Sequence, residues 1–299
     1  MNKRKTYLAG NVAVAVLLLT VATGPAQGPA VEIIRAPASL NPRPVVAPAA
    51  PLNQLVLDVV NAMPRGGRYA VNKPAFDALG RAVGVSPVGN QLLLRPELAR
   101  PVFCSGATYL VLLGVVDRLN QEGHLPLSRE VVDALQIKGQ PDGVGVWGRW
   151  NANGPGTARL FHEAGLGQNY ATLEEGRPGD FMKIWWNDNI GSAERGHSVV
   201  YLGRSVSPTG QDMVNFWSGN VPDGLGFKAV PRAKVRRVLF SRLENLRALG
   251  RVVDLPARDN YLAGLLRRGS SEQEMCSMVD VAAAPLVSAG AGASPRGLP

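Results

Sequence analysis

An α+β architecture, with a buried central helix packed on an antiparallel sheet, follows from three features of the sequence. In the first half of the chain, apolar residues recur at helical spacing between Pro and Gly stops. From Asp180 to Trp217 the pattern changes to short apolar runs separated by loops rich in Asn, Asp, Gly and Ser. Within the helical half, Tyr109, Leu110, Val111, Leu112, Leu113, Val115, Val116 and Leu119 occupy nearly the whole circumference of one helix, which is therefore buried on all sides.

Each element has its own local reason. Residues 52–63 carry apolar side chains at 52, 55, 56, 59 and 60 and read as a helix, halted by Pro64-Arg65-Gly66-Gly67. Asn72-Lys73-Pro74 starts a second helix by cap and early proline, with Phe76, Leu79, Ala82 and Val83 on one face and Ser86-Pro87 as its stop. Leu92-Leu93-Leu94 reads as extended. Beyond the central helix and its closing Gly123, Ser128 opens a further helix through Val131, Val132 and Leu135. Residues 139–156 are glycine-rich. Gly143-Val-Gly-Val-Trp-Gly148 has the spacing of a dinucleotide fingerprint, but lacks the preceding strand and the later acidic residue, so that reading is rejected. A short helix at 157–164 ends at Gly165. Strands follow at 181–186, 198–202, 213–217 and 237–241, then helices near 243–249 and 261–268.

The ends differ from the body. Residues 1–28 combine Lys3, Arg4 and Lys5 with an apolar stretch and small residues, the pattern of an export signal that is either cleaved or kept as a membrane anchor. Residues 29–51 form a Pro/Ala-rich spacer, 52–279 a single domain, and 280–299 a tail of Ala, Gly, Ser and Pro expected to be disordered. The expected location is outside the cytoplasm, periplasmic or secreted, with membrane association limited to the N-terminal segment. The net charge of +9 reads first as a soluble basic surface; it also suits anionic partners such as acidic cell-wall polymers or a membrane face, and no nucleic-acid-binding motif accompanies it.

Chemistry concentrates at Cys104 and His197. Cys104 stands where a proline-containing loop gives way to the central helix, and a helix N-terminus favours a thiolate. His197 opens a strand pattern, where it supplies a base; its own N–H needs an orienting partner. Centring the turn between strands 198–202 and 213–217 sets His197 opposite about Ser218, so Asn220 is favoured as the third group, then Ser218, then Asn215. All five tryptophans fall between residues 147 and 217. Trp147, Trp150, Asn151, Trp186 and Trp217 therefore form a candidate groove for a sugar or peptide, the alternative being that tryptophans such as Trp185 belong to the core. Two cysteines in an exported chain leave open a Cys104–Cys276 disulfide, although Cys276 lies in a polar region near the frayed end. The three histidines have no ligand spacing, so no metal and no cofactor are expected.

Three ordered motifs carry a resemblance to a known family. Phe103-Cys104-Ser105-Gly106-Ala107-Thr108-Tyr109-Leu110, Gly179-Asp180-Phe181 and Gly196-His197-Ser198-Val199-Val200-Tyr201-Leu202-Gly203 together resemble the NlpC-type and CHAP-type cell-wall hydrolases of the papain-like superfamily. The resemblance spans Phe103 to Trp217. It departs from the compact members in a longer Cys–His separation and in Val199 where many relatives carry Gly. It implies a papain-like fold, Cys104 as nucleophile, His197 as base, and peptidoglycan as the class of substrate. The expectation is thus an exported thiol hydrolase of amide bonds. The alternative is a non-catalytic glycan- or peptide-binding protein on the same fold.

Overall fold

The computed structural model describes residues 51–87, 89–138 and 143–282. The expected signal at 1–28, the spacer at 29–51 except Pro51, part of the glycine-rich segment, and the tail beyond 282 lie outside the described residues.

Helix α1 (Pro51–Ala62) buries Val56, Val59 and Val60. A two-residue strand β1 (Gly66–Gly67) follows, then α2 (Lys73–Ala82), where the Asn72 side chain accepts the Ala75 N–H and Pro74 occupies the first turn. This helix stops at Ala82, earlier than Ser86-Pro87, because β2 (Val83–Val85) leaves it to pair antiparallel with β3 (Leu92–Leu94). Val-Gly-Val suits an extended chain better than another helical turn. Helix α3 (Cys104–Gln121) is the central helix, with Ala107, Tyr109 to Leu113, Val115 and Val116 all fully buried. Helix α4 (Arg129–Ala134) starts on a Ser128 cap, and α6 (Gly156–Ala164) ends at Gly165, whose φ of 67° closes it in the left-handed region.

Between them lies an element the composition conceals. Helix α5 (Gly145–Trp150) includes two glycines in six residues and has poor intrinsic propensity. It is held from outside. The fully buried Arg149 side chain donates to the carbonyls of Gly143, Gly145 and Pro256 and pairs with Glu163 at 2.7 Å.

The second half of the chain builds the sheet from β4 (Gly167–Tyr170), β5 (Phe181–Trp185), β6 (Gly196–Val206), β7 (Asp212–Asn220), β8 (Gly224–Pro231) and β9 (Arg237–Leu243). With β1 they make seven strands in the order β1-β8-β7-β6-β5-β9-β4, each pair antiparallel. Strand alternation divides the side chains. Phe181, Val200 and Trp217 join the cluster around α3, while Met182, Ile184, Val199, Tyr201, Phe216 and Phe240 form a separate cluster. A 3-10 helix (Leu246–Val253) takes the place of the helix expected at 243–249. Short α7 (Asn260–Gly264) replaces the one at 261–268, and α8 (Glu272–Met278) covers a segment read as frayed.

The Gly-Asp-Phe turn before β5 is explained by its surroundings. Gly179 has φ of 92°, and a Cβ there would lie 2.5 Å from the Asn53 carbonyl oxygen, so glycine is required. The neighbouring Asp180 carboxylate is fully buried. It accepts from Asn53 Nδ2 at 2.8 Å, Arg177 N at 2.8 Å, and Arg242 Nε and Nη2 at 3.0 and 2.8 Å. This knot ties α1, β5 and β9 together.

Candidate active site

Cys104 is the first residue of α3. Phe103 at the cap position has an extended backbone (φ −127°) and makes no side-chain cap hydrogen bond, so no side chain at that position covers the first-turn N–H groups. Close approach is built in on two sides. A Cβ on Gly106 would meet Leu79 Cδ2 at 2.9 Å, and one on Gly219 would come within 3.1 Å of the Phe103 carbonyl group. Glycine at 219 thus lets the end of β7 press against the start of α3, with Asn220 next along the strand.

His197 enters β6 opposite Ile184 of β5, its ring 5.6 Å from Phe216 and 6.2 Å from Trp186. In the β6–β7 hairpin the turn occupies only 207–211, and the register shifts by a bulge between Tyr201 and Gly203. Continuing the Val200–Trp217 pairing sets His197 across from Asn220, two residues past the position that centring the turn suggests. Asn220 Oδ1 lies 3.2 Å from His197 Nε2. The Asn220 amide is oriented by its other end, since Nδ2 donates to the carbonyls of Ser218 at 3.1 Å and Gly226 at 2.8 Å. Oδ1 is therefore the acceptor, Nε2 carries the proton, and Nδ1 is the nitrogen left for the thiol.

The thiol is acidic for a cysteine. Burial opposes its ionisation, but the hydrogen bond and charge of His197, the Ser198 backbone N–H and the Lys183 ammonium together outweigh burial and hold its pKa at about 6. The Tyr69 hydroxyl donates toward Cys104 Sγ across 4.0 Å. Burial, then the negative charge of Cys104, raise the Tyr69 pKa, so the phenol stays a donor. Tyr69 arrives through a parallel bridge with Val102, the left-handed Arg68 (φ 62°) turning the chain into it.

Cys104 and Tyr69 open onto a cleft of about 340 Å³ whose walls also include Phe103, Asn151, Lys183 and Glu194. Asn151 Oδ1 accepts from Ser105 Oγ, which fixes the amide beside the start of α3. Glu194 is nearly buried. Burial works against its charge, yet the Lys183 ammonium, the Gly191 N–H and the Trp185 indole hold its carboxyl below the usual range.

Several expected residues stand elsewhere. Trp147, Trp150 and Trp217 are each 1% exposed, with Trp150 Nε1 donating to the Ser105 carbonyl at 3.0 Å; they are core residues and offer no face to a ligand. Their candidacy for a groove is corrected accordingly: packing of the glycine-rich segment against α3 turns Trp147 and Trp150 inward, and Trp217 joins the same core cluster from β7. Trp186 is half-buried beside the histidine and does not line the cleft. Ser218 is fully buried and spends its hydroxyl on the Ser198 carbonyl at 2.7 Å, so it does not orient His197. Asn215 bonds Ser205 and Gly203 farther up the hairpin. Both cysteines are free, and Cys276 is buried on α8 beside Met275 and Trp185, where burial raises its pKa. Its placement in a frayed polar region is thereby corrected.

Tyr69, Lys183 and Glu194 escape the sequence reading. Their positions depend on pairing between distant segments, and only Lys183 carries a local signal, a lone charge inside an apolar strand. Among the described residues no group of three or more His, Cys, Asp or Glu side chains could hold a metal ion, and no helix is long and apolar enough to cross a membrane. Comparison of the chain with protein-family models, with curated proteins and with solved structures found no match.

Proposed function

We propose that the chain is a thiol hydrolase of amide bonds with a papain-like arrangement of nucleophile and base. One observation carries the reading: a cysteine at the start of a buried helix has its pKa drawn down to about 6 by a neighbouring histidine, and Nε2 of that histidine lies 3.2 Å from Asn220 Oδ1. A structural cysteine needs none of these features, and buried structural thiols are held neutral, as Cys276 is.

The chemistry balances with the chain's own residues and water. The Cys104 thiolate attacks the carbonyl carbon, and the carbonyl electron pair moves to oxygen, where the α3 N-terminal N–H groups and the Tyr69 hydroxyl are suited to receive it. The imidazolium of His197 gives its Nδ1 proton to the leaving amine as the C–N bond breaks, leaving a thioester. The neutral ring then takes a proton from water, whose oxygen displaces Cys104 and releases the acid. Asn220 holds the ring through both steps.

Export and a peptidoglycan substrate are supported by the N-terminal pattern and the motif resemblance. The binding-only reading loses its main support, because three of the tryptophans on which a stacking groove would rest are in the core. The test is to incubate the purified protein and its Cys104→Ala variant with peptidoglycan sacculi and identify released fragments by mass spectrometry. New amino termini from the wild type alone are the expected result. Identical fragments from both proteins, or none from either, would refute peptidoglycan hydrolysis by Cys104.

A further inference from the structure

The cleft holds a charge that the thiol chemistry leaves mostly unused. Lys183 lies on β5 opposite Ser198, its side chain 14% exposed, and it lines the same cleft as Cys104. An ammonium group has three N–H donors. Among the described residues, one is bonded, to Glu194 Oε1 at 2.7 Å, and Nζ also lies 5.6 Å from the centre of the Trp185 ring. The other two have no protein acceptor.

Glu194 is committed inward. Its side chain is 4% exposed, and its second oxygen accepts from Gly154 N at 2.7 Å, Gly191 N at 2.9 Å and Trp185 Nε1 at 3.0 Å. Four donors therefore fix and damp the negative end of the pair, while the positive end is the more exposed one. Gly196 makes room for it: a Cβ there would fall 2.6 Å from Lys183 Cε and 2.7 Å from Nζ. A mostly buried cation with free donors, in the same cleft as a nucleophile, is a poor structural device and a good anchor for an anion.

We propose that Lys183, anchored by Glu194, binds a carboxylate of the substrate next to the bond that Cys104 attacks. Substrates carrying a free carboxylate near the scissile carbonyl are then preferred to their amides. The inference rests on the thiol-hydrolase reading of Cys104, but its test needs no substrate.

Two alkylating agents of nearly equal size separate the two ideas: iodoacetate carries a carboxylate and iodoacetamide does not. Each forms a bond from Cys104 Sγ to its methylene carbon and expels iodide, and rates at neutral pH are read from the mass of the Cys104 peptide. The iodoacetate-to-iodoacetamide rate ratio is expected to fall about tenfold in Lys183→Met, as loss of a charge-assisted hydrogen bond implies. The same fall is expected in Lys183→Met/Glu194→Gln, which leaves no buried carboxylate unpaired. An unchanged ratio, with both reagents still reacting, would overturn the carboxylate site alone. A wild-type Cys104 inert to both would remove the thiolate reading and the site with it. If neither variant folds, protection of wild-type Cys104 from iodoacetamide by N-acetylglycine, but not by N-acetylglycinamide, supports the site; equal protection by both, or by neither, overturns it.

Discussion

The acidity of Cys104 can be tested by removing its main source. In His197→Ala the imidazole hydrogen bond and charge are lost while the burial that opposes ionisation remains, along with weaker help from the Ser198 N–H and Lys183. The thiol midpoint should therefore rise from about 6 to its ordinary value of 9.0 or above. The sign is simple: the reactive thiolate exists above the midpoint, so raising the midpoint removes reactivity from the acid side. At pH 6 about half of the wild-type thiol is ionised, against roughly 0.1% for a thiol three units weaker, on the order of a 500-fold difference in thiolate. A more basic thiolate is the better nucleophile, and with a Brønsted slope near 0.4–0.5 this returns a factor of about 20–30. The net expectation at pH 6 is an alkylation rate about 20-fold lower in the variant. At pH 10 the order should reverse. The assay is iodoacetamide incorporation at Cys104 against pH, with circular dichroism as the control for folding. A wild-type midpoint near 9, or the same midpoint in both proteins, would refute the ion-pair account.

Two further perturbations address orientation and frame. Asn220→Ala removes the acceptor 3.2 Å from His197 Nε2, and free rotation of the ring should lower turnover about 100-fold with KM little changed; equal loss in both parameters would indicate a cleft defect instead. Asp180→Ala leaves the Arg242 guanidinium buried without its carboxylate and should cost about 3–5 kcal/mol in urea unfolding, whereas a loss under 1 kcal/mol would contradict a structural role for the Gly-Asp-Phe turn.

Much of this architecture was legible locally. The α3 span, the Asn72 and Ser128 caps and the stop at Gly165 all depend on residues within one or two turns of each other, and the structure agrees there to within a residue. Helix α5 was hidden because its stability comes from Arg149 bridging to Glu163 and Pro256, contacts invisible to any window of sequence. Strand β8 does carry a local signal: Pro222-Asp223-Gly224 is hairpin chemistry, and Leu225 and Phe227 alternate beyond it. Trp147 and Trp150, both on α5, mislead for the same reason as α5 itself. Glycine-rich composition suggested an open loop, but tertiary contacts fold that loop into the core.

The site divides along the same line. Cys104 and His197 are readable because each marks the start of its own element, where backbone polarity and exposure change within one residue. Pairing them with Asn220 requires the register of β6 on β7, and register is a sum of small terms: a turn centred at residue 209, whereas the midpoint of strands 198–202 and 213–217 falls between 207 and 208, moves the partner of His197 by three positions, and the bulge at Leu202 returns one. The remaining cleft groups depend on segments that do not meet until the fold closes. Tyr69 needs the bridge to Val102, and Lys183 needs both the loop that carries Glu194 and a glycine at 196. The proposed nucleophile and base are thus set by local chemistry, while the groups proposed to choose a substrate are set by long-range packing. A sequence resemblance confined to the motifs around Cys104 and His197 therefore bears on the reaction much more strongly than on the substrate.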